Sequence, residues 1–250
     1  MPFLHYVLHG SRGRLWKDDA EAAGLWRALT GAFPEPLALC LMPSHVHVVL
    51  PTGDHTRPLA RAMSGYARFR NHRRGAAGPV FAASDPPSIV ADDRHLRRTV
   101  RYLALNPCRD GLASCPLGWR WSTHRDQCGL TWPQVGRLHA RPVEWHKYVS
   151  SDHDTTPAGT PFPTRVNRFV EIEEIVATVA SVLRDPAVDI TRRGPARAAF
   201  VGCALALGRA PSEVARHTGL QPRRLFQIAA DEPDPVAALC VRVAGDPRFC

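Results

Sequence analysis

His45 and His47 stand two residues apart in Met42-Pro43-Ser44-His45-Val46-His47-Val48-Val49-Leu50. The run is rich in β-formers. Residues i and i+2 of a strand face the same way, so both imidazoles would share one face while Val46 and Val48 turn into a core. Neutral imidazole binds divalent cations well, and two nitrogens leave positions for a third ligand, phosphate oxygens and water. The spacing alone suits a pair of solvated or hydrogen-bonded strand histidines equally well. Further on, Arg101-Tyr102-Leu103-Ala104-Leu105-Asn106-Pro107 falls in a helical pattern. Its apolar stripe is Leu96, Val100 and Leu103, and a second stripe runs through His95, Arg98, Tyr102 and Asn106. Tyr102 therefore lies with polar residues, although a ring packed in a core would also fit a helix. Beside a bound cation, a tyrosine can serve as nucleophile towards phosphate. Its oxygen attacks, the 3′ oxygen leaves, and a 5′-phosphotyrosine with a free 3′-hydroxyl results. Asn106, one turn on, offers a neutral oxygen to complete the His pair, and Arg98 offers positive charge beside the tyrosine.

These residues need a scaffold, and the composition allows one. The chain has 250 residues, 44% of them hydrophobic, which suits one large or two modest domains with a real core. No apolar stretch is long enough for a membrane span, and Met1-Pro2-Phe3-Leu4-His5 lacks the features of a signal peptide. These features predict a cytoplasmic, nucleoid-associated protein with no membrane partner. The seven cysteines are scattered, with no C-x-x-C pair, which predicts small buried or surface thiols and argues against a disulfide framework or a structural zinc site.

Charge is distributed unevenly. Residues 1–150 carry 20 Lys+Arg against 11 Asp+Glu, while residues 151–250 carry 12 of each. The whole net charge of +9 thus falls in the part that holds the His pair and Tyr102. Nearly all of it is arginine, whose planar fork suits phosphate. Arg12, Arg61, Arg68, Arg98 and Arg101 are the expected phosphate contacts, and nucleic acid is the expected partner.

The expected elements follow from periodicity. Phe3–His9 reads as a strand. Asp18-Asp19 open a helix to about Ala32, with Ala22, Leu25, Trp26 and Leu29 on its apolar face. Leu37–Leu50 is β-rich and broken near Pro43. A helix starting at Pro58 carries Leu59, Met63, Tyr66 and Phe69 inward, which makes Tyr66 a core residue. Ile89-Val90 suggest a short strand, and Asp92-Asp93 open the tyrosine helix, stopped by Pro107. This order predicts an α+β domain with helices over an antiparallel sheet, spanning residues 1–150. Residues 151–164, rich in Pro and Thr, read as a linker. Residues 165–250 read as a small all-α domain, with helices at Arg168–Leu183, Pro195–Leu207, Pro211–Thr218 and Pro222–Ala230. The last two read like a helix-turn-helix. Ser212 would cap the first, Gly219 would make the turn, and Arg223 and Arg224 would open the DNA-facing helix. An ordinary helical hairpin with exposed arginines fits the same residues.

On Met42-Pro43-Ser44-His45-Val46-His47, Tyr102-Leu103-Ala104-Leu105-Asn106-Pro107-Cys108-Arg109-Asp110-Gly111-Leu112 and Trp119-Arg120-Trp121-Ser122, residues 1–130 resemble the REP-associated tyrosine transposases. These are single-tyrosine HUH (His-hydrophobic-His) nucleases. His5-Tyr6-Val7-Leu8-His9-Gly10-Ser11-Arg12-Gly13 is a looser match. The resemblance implies a ferredoxin-like HUH nuclease domain with the His pair on a central strand. It implies Tyr102 as nucleophile, and Mg²⁺ or Mn²⁺ held by His45, His47 and Asn106. The implied substrate is single-stranded DNA near a hairpin, such as a REP-like palindrome, with monomer and homodimer both compatible. Val80-Phe81-Ala82-Ala83-Ser84 departs from the family, keeping only the aromatic of an aromatic-Gln-x-Arg-Phe segment.

Two functions follow. One is a metal-dependent single-strand DNA endonuclease and strand transferase, of the kind used in transposition and recombination. The other is a DNA-binding regulator that descends from such an enzyme and has lost catalysis. A hydrolase built on the His pair lacks the acidic ligands it would need.

Overall fold

Strand β1 (Phe3–His9) is formed by a run of aromatic and branched residues and lies inside a four-stranded antiparallel sheet. The other strands are β2 (Ala38–Leu41), β3 (His45–Pro51) and β4 (Ser88–Val90), in the order β2-β3-β1-β4. Helix α1 (Asp19–Ala32) joins β1 to β2, and α2 (Thr56–Arg74) joins β3 to β4. This β-α-β-β-α-β sequence with interleaved strand order is the ferredoxin-like arrangement. The expected α+β class holds. The computed structural model describes residues 2–131, 134–151, 170–230 and 234–244. The described residues fall into two compact units, one within Met1–Gly129 and Gln134–Gly159, the other within Leu130–Pro133 and Thr160–Cys250. All of the expected linker except Ser151 lies outside the described residues, as does the start of the helix expected from Arg168.

Alternation along the strands builds one apolar face. Leu8, Leu39, Leu41, Val46, Val48 and Leu50 meet Ala22, Leu25, Trp26 and Leu29 of α1 and Leu59, Ala62 and Tyr66 of α2 in one buried cluster. The opposite face carries the partners of the other register, with Val7 facing His47, His9 facing His45 and Cys40 facing His47. A one-residue slip would exchange the two faces, so burial of Val46 and Val48 fixes where the histidines point.

The helices begin and end for identifiable reasons. Asp18 caps α1, its carboxylate accepting from the Glu21 amide at 2.9 Å. Helix α2 begins at Thr56, two residues before the expected Pro58. Pro58 then sits in the first turn, where its missing N–H would have had no helical partner. Gly75 ends α2 in the left-handed conformation, φ 58°. Asp92 caps α3 (Asp93–Arg109) by accepting from the His95 amide at 2.8 Å. This helix runs through Pro107 and does not stop at Asn106. Pro107 sits in the last turn and costs one ladder bond, while its own carbonyl accepts from Leu112 at 2.8 Å.

The Trp-x-Trp-Ser piece closes the β2 edge. Leu41 N donates to the Trp121 carbonyl and Thr123 N to the Leu39 carbonyl, each at 2.9 Å. The indole of Trp119 donates to the Leu41 carbonyl at 2.9 Å, and Trp121 is buried in the core. A 3-10 turn at Pro116–Gly118 precedes this piece, and α4 (His124–Gln127) and α5 (Pro142–Ser150) follow it. The second unit holds α6 (Ile172–Leu183), α7 (Pro195–Ala206), α8 (Pro211–Thr218), α9 (Pro222–Ala230) and α10 (Pro235–Val243). Helix α7 packs against each of the other four. Gly219 makes the left-handed turn after α8, φ 70°. Ala210, and not Ser212, holds the α8 cap position, and its side chain caps nothing. Helices α5 and α10 were not among the sequence expectations, although Asp234 and Pro235 form a regular helix start, with Asp234 accepting from the Val236 amide.

One ion pair lies under this core. Glu21 is fully buried and takes both forks of Arg74, at 2.7 and 2.5 Å, and the Lys17 amide at 2.9 Å. Burial works to raise its carboxyl pKa. The Arg74 hydrogen bonds and charge, with the Lys17 amide, outweigh that and hold it below the usual carboxylate range. Removing Arg74 strands the charge. Arg74→Met is therefore expected to destabilise the protein by about 3 kcal/mol in urea unfolding, and Glu21→Met/Arg74→Met to recover much of that.

Candidate functional site

The site grows from the sheet face that α1 and α2 do not cover. His45 and His47 rings lie 4.7 Å apart, nearly perpendicular. His47 is 5% exposed, whereas His45 is half-buried beside His9, whose ring is 5.7 Å away. His47 Nδ1 sits 3.0 Å from His5 Nε2, and its own Nε2 is buried without a hydrogen-bond partner. If His47 Nδ1 carries the proton and donates to His5, the Nε2 lone pair faces the site, the tautomer a metal ligand requires. His5 thus orients His47, a role sequence reasoning missed because the two are 42 positions apart and meet only through the β1–β3 pairing.

Helix α3 brings the tyrosine. The Tyr102 ring stands edge-on to His47, with centroids 5.8 Å apart, and is 45% exposed. It is therefore a surface nucleophile candidate and not a core ring. Asn106 lies one turn on along the same helix face. Its side chain is 6% exposed and its Nδ2 has no hydrogen-bond partner. Amide oxygen and nitrogen are interchangeable by a half-turn, so that unpaired position suits a ligand oxygen. His47 Nε2 and Asn106 Nδ2 are two buried polar atoms without partners, the kind of group a bound cation would satisfy, and half-buried His45 stands beside His47.

Electrostatics favour neutral imidazoles. Burial, then the neighbouring His45, His5 and His9, push the His47 pKa down to about 3. Burial and then His9 lower His45, with Asp110 opposing. Burial and then His95 lower His5. All three keep their lone pairs at neutral pH.

The arginines fall in different places. Arg109, and not Arg98, lies over the Tyr102 ring at 5.0 Å. Arg101 is half-buried, stacked on the Tyr148 ring at 4.9 Å beside Arg97 at 5.0 Å, with its Nη2 3.2 Å from Ser151 Oγ. Arg12 and Arg98 are exposed. Arg61 and Arg68 are exposed on α2, in the layer across the sheet from the histidines. Arg223 and Arg224 are exposed at the start of α9. Val80–Ala82 is fastened to the end of β1, with the Ser11 amide donating to the Val80 carbonyl and the Ala82 amide to the His9 carbonyl, both at 2.9 Å.

Another ligand cluster lies elsewhere in this unit. Among the described residues, His124, Cys128 and His146 are the one group of His, Cys, Asp or Glu with three donor atoms within 4.8 Å of one another. The expectation of small thiols, buried or at the surface, resolves to burial for all six described cysteines. It missed this grouping, whose only linear trace is the four-residue step from His124 to Cys128.

No family model and no curated protein matches the chain. Among solved structures it is similar to that of a REP-associated tyrosine transposase bound to a REP hairpin, with a TM-score of 0.41 and 21% identity, over 54% of this chain and 82% of that one. No helix among the described residues is long and apolar enough to cross a membrane.

Buried neutral histidines carry a pH signature. The folded pKa of His47 and of His124, where burial and then His146 dominate, is about 3. An unfolded imidazole titrates near 6.5, so their stabilisation is complete above about pH 6.5 and is lost as pH falls from there towards the folded values. In EDTA, the urea midpoint is expected to fall steadily below about pH 6.5, and less steeply in His47→Gln. An unchanged slope in the variant would show that His47 already titrates normally in the folded protein.

Proposed function

We propose that the protein is a metal-dependent single-stranded DNA endonuclease and strand transferase in which Tyr102 is the nucleophile. The observation that carries this reading is the meeting of the Tyr102 ring with His47, brought together from a helix and a central strand beside His45. A divalent cation, Mg²⁺ or Mn²⁺, held by His45, His47 and Asn106 would polarise the scissile phosphate.

The protein's own groups account for the rest. Tyr102 Oη bonds to phosphorus while the bond from phosphorus to the 3′ oxygen breaks. The phenol proton passes to solvent, and the departing 3′ oxygen takes up a proton. Attack by a 3′-hydroxyl on the phosphotyrosine reverses these changes and joins strands. Arg109 supplies positive charge beside the phosphate that Tyr102 attacks. His5 holds the His47 ring in its ligand tautomer. Exposed Tyr102 leaves room for a single strand, and the excess arginine of residues 1–150 supplies phosphate affinity. Near-hairpin substrates, the 1–150, 151–164 and 165–250 division, and Arg12, Arg61, Arg68, Arg98, Arg101, Arg223 and Arg224 as DNA contacts belong to this proposal.

A regulator without catalysis is favoured by one feature. Arg223 and Arg224 stand exposed at the start of the second of two short helices joined at Gly219, where a helix-turn-helix meets DNA. The two readings separate in one assay. With hairpin-flanked single-stranded DNA and Mn²⁺, the wild-type protein should form a covalent adduct that survives denaturing electrophoresis. Tyr102→Phe should abolish it, while Tyr66→Phe, whose hydroxyl only reaches the Leu15 carbonyl at 2.8 Å, should retain it. Metal-independent binding with no adduct in any buffer would select the regulator.

The His5 role gives a separate expectation. His5→Phe should raise the Mn²⁺ concentration needed for half-maximal adduct formation about 10- to 100-fold, and excess Mn²⁺ should restore much of the rate. Loss that Mn²⁺ cannot rescue would place His5 outside that role.

A further inference from the structure

The structure assigns a zinc site to His124, Cys128 and His146, separate from the His45–His47 face and serving to fasten α5 beneath the tyrosine helix. The donors converge tightly. His124 Nε2 lies 3.1 Å from His146 Nδ1 and 3.8 Å from Cys128 Sγ. Zinc bonds of about 2.05 Å to nitrogen and 2.3 Å to sulfur, at tetrahedral angles, place neighbouring donors about 3.3 Å (N–N) and 3.6 Å (N–S) apart. The observed spacings are within a few tenths of an ångström of these. All three side chains are at most 2% exposed. Ser150 Oγ, also buried, lies 3.4 Å from His146 Nδ1 and 3.3 Å from its Nε2, and a water completing the zinc's four-coordination could hydrogen-bond to it.

Donor type selects the ion. A thiolate with two imidazoles is a soft, nitrogen-rich set that suits zinc and excludes Mg²⁺, which demands oxygen. The set at His45, His47 and Asn106 contains no sulfur, so the two centres differ in what they bind. Binding at the new site takes up Zn²⁺ and releases the Cys128 thiol proton.

The elements explain the geometry and its use. His124 opens α4, directly after the Trp121–Thr123 piece that pairs with the β2 edge, and Cys128 ends it four residues on. His146 and Ser150 make a second four-residue pair on α5. One ion thus ties α4, anchored to the sheet, to α5. Helix α5 carries Tyr148, whose ring holds Arg97 and Arg101 of α3. The zinc therefore positions the outer side of the helix that bears Tyr102, without touching the reacting atoms.

The test uses the full chain, stripped of metal, reconstituted with Zn²⁺ and desalted. We expect about one zinc per chain by mass spectrometry of the metal. Co²⁺ in its place should give the visible bands of four-coordination together with a thiolate-to-cobalt charge-transfer band in the near ultraviolet. Cys128→Ser should lose that band and bind zinc at least about tenfold more weakly, as measured by competition with a chromogenic chelator. His47→Ala should keep both the band and the zinc. Retention of less than a tenth of an equivalent by the wild-type protein overturns the proposal, as does a cobalt spectrum without the thiolate band. A band that persists in Cys128→Ser, or one that vanishes in folded His47→Ala, also overturns it. The wild-type stoichiometry and spectrum decide the matter even where a variant fails to fold. The result is independent of whether Tyr102 cleaves DNA.

Discussion

Pairing of β1 against β3 is the constraint from which the rest of the first unit follows. Val46, Val48 and Leu50 are claimed by the core beneath α1 and α2, and period-2 geometry then leaves His45 and His47 no choice of side. The same register sets His9 opposite His45 and Val7 opposite His47, and it carries His5 within hydrogen-bonding reach of His47. A cluster of imidazoles on one face is thus a by-product of packing on the other. Burial at this packed face keeps the imidazoles neutral, which is the protonation state a ligand needs.

The tyrosine helix depends on a different set of contacts. Its first turn is fixed by Asp92, and its outer arginines are held by Tyr148. Its end carries Pro107 at the cost of one ladder bond, and only two helical residues follow it. Continuation to Arg109 is what brings that guanidinium over the Tyr102 ring. A helix stopped at Asn106 would leave the tyrosine without this neighbour.

Local pattern made much of this legible in the amino-acid order. β1, α1, the start of α3 and the Pro211–Thr218 and Pro222–Ala230 helices follow from capping residues, proline positions and periodicity, all readable within a short window. The candidates His45 with His47 and Tyr102 with Asn106 stood out for the same reason, since each pair is separated by a fixed step along one element. Contacts that close across elements were hidden. His5 is assigned to His47 only by strand register. Arg109 reaches Tyr102 only because the helix outlasts its proline. His146 joins His124 and Cys128 only after a loop and a second helix have folded back. Arg101, which sequence placed with the phosphate contacts, is drawn to an aromatic ring that no linear pattern announced.

The two rims of the sheet are treated unlike one another. On the β2 side, Trp121–Thr123 occupies the backbone groups that a neighbouring molecule would otherwise seek. On the far side, β4 offers only Ser88–Val90, with Ile89 67% exposed at its middle. A three-residue rim gives an incoming chain little to zip onto. With one rim occupied and the other only three residues long, the sheet offers little purchase for edge-to-edge growth into larger assemblies.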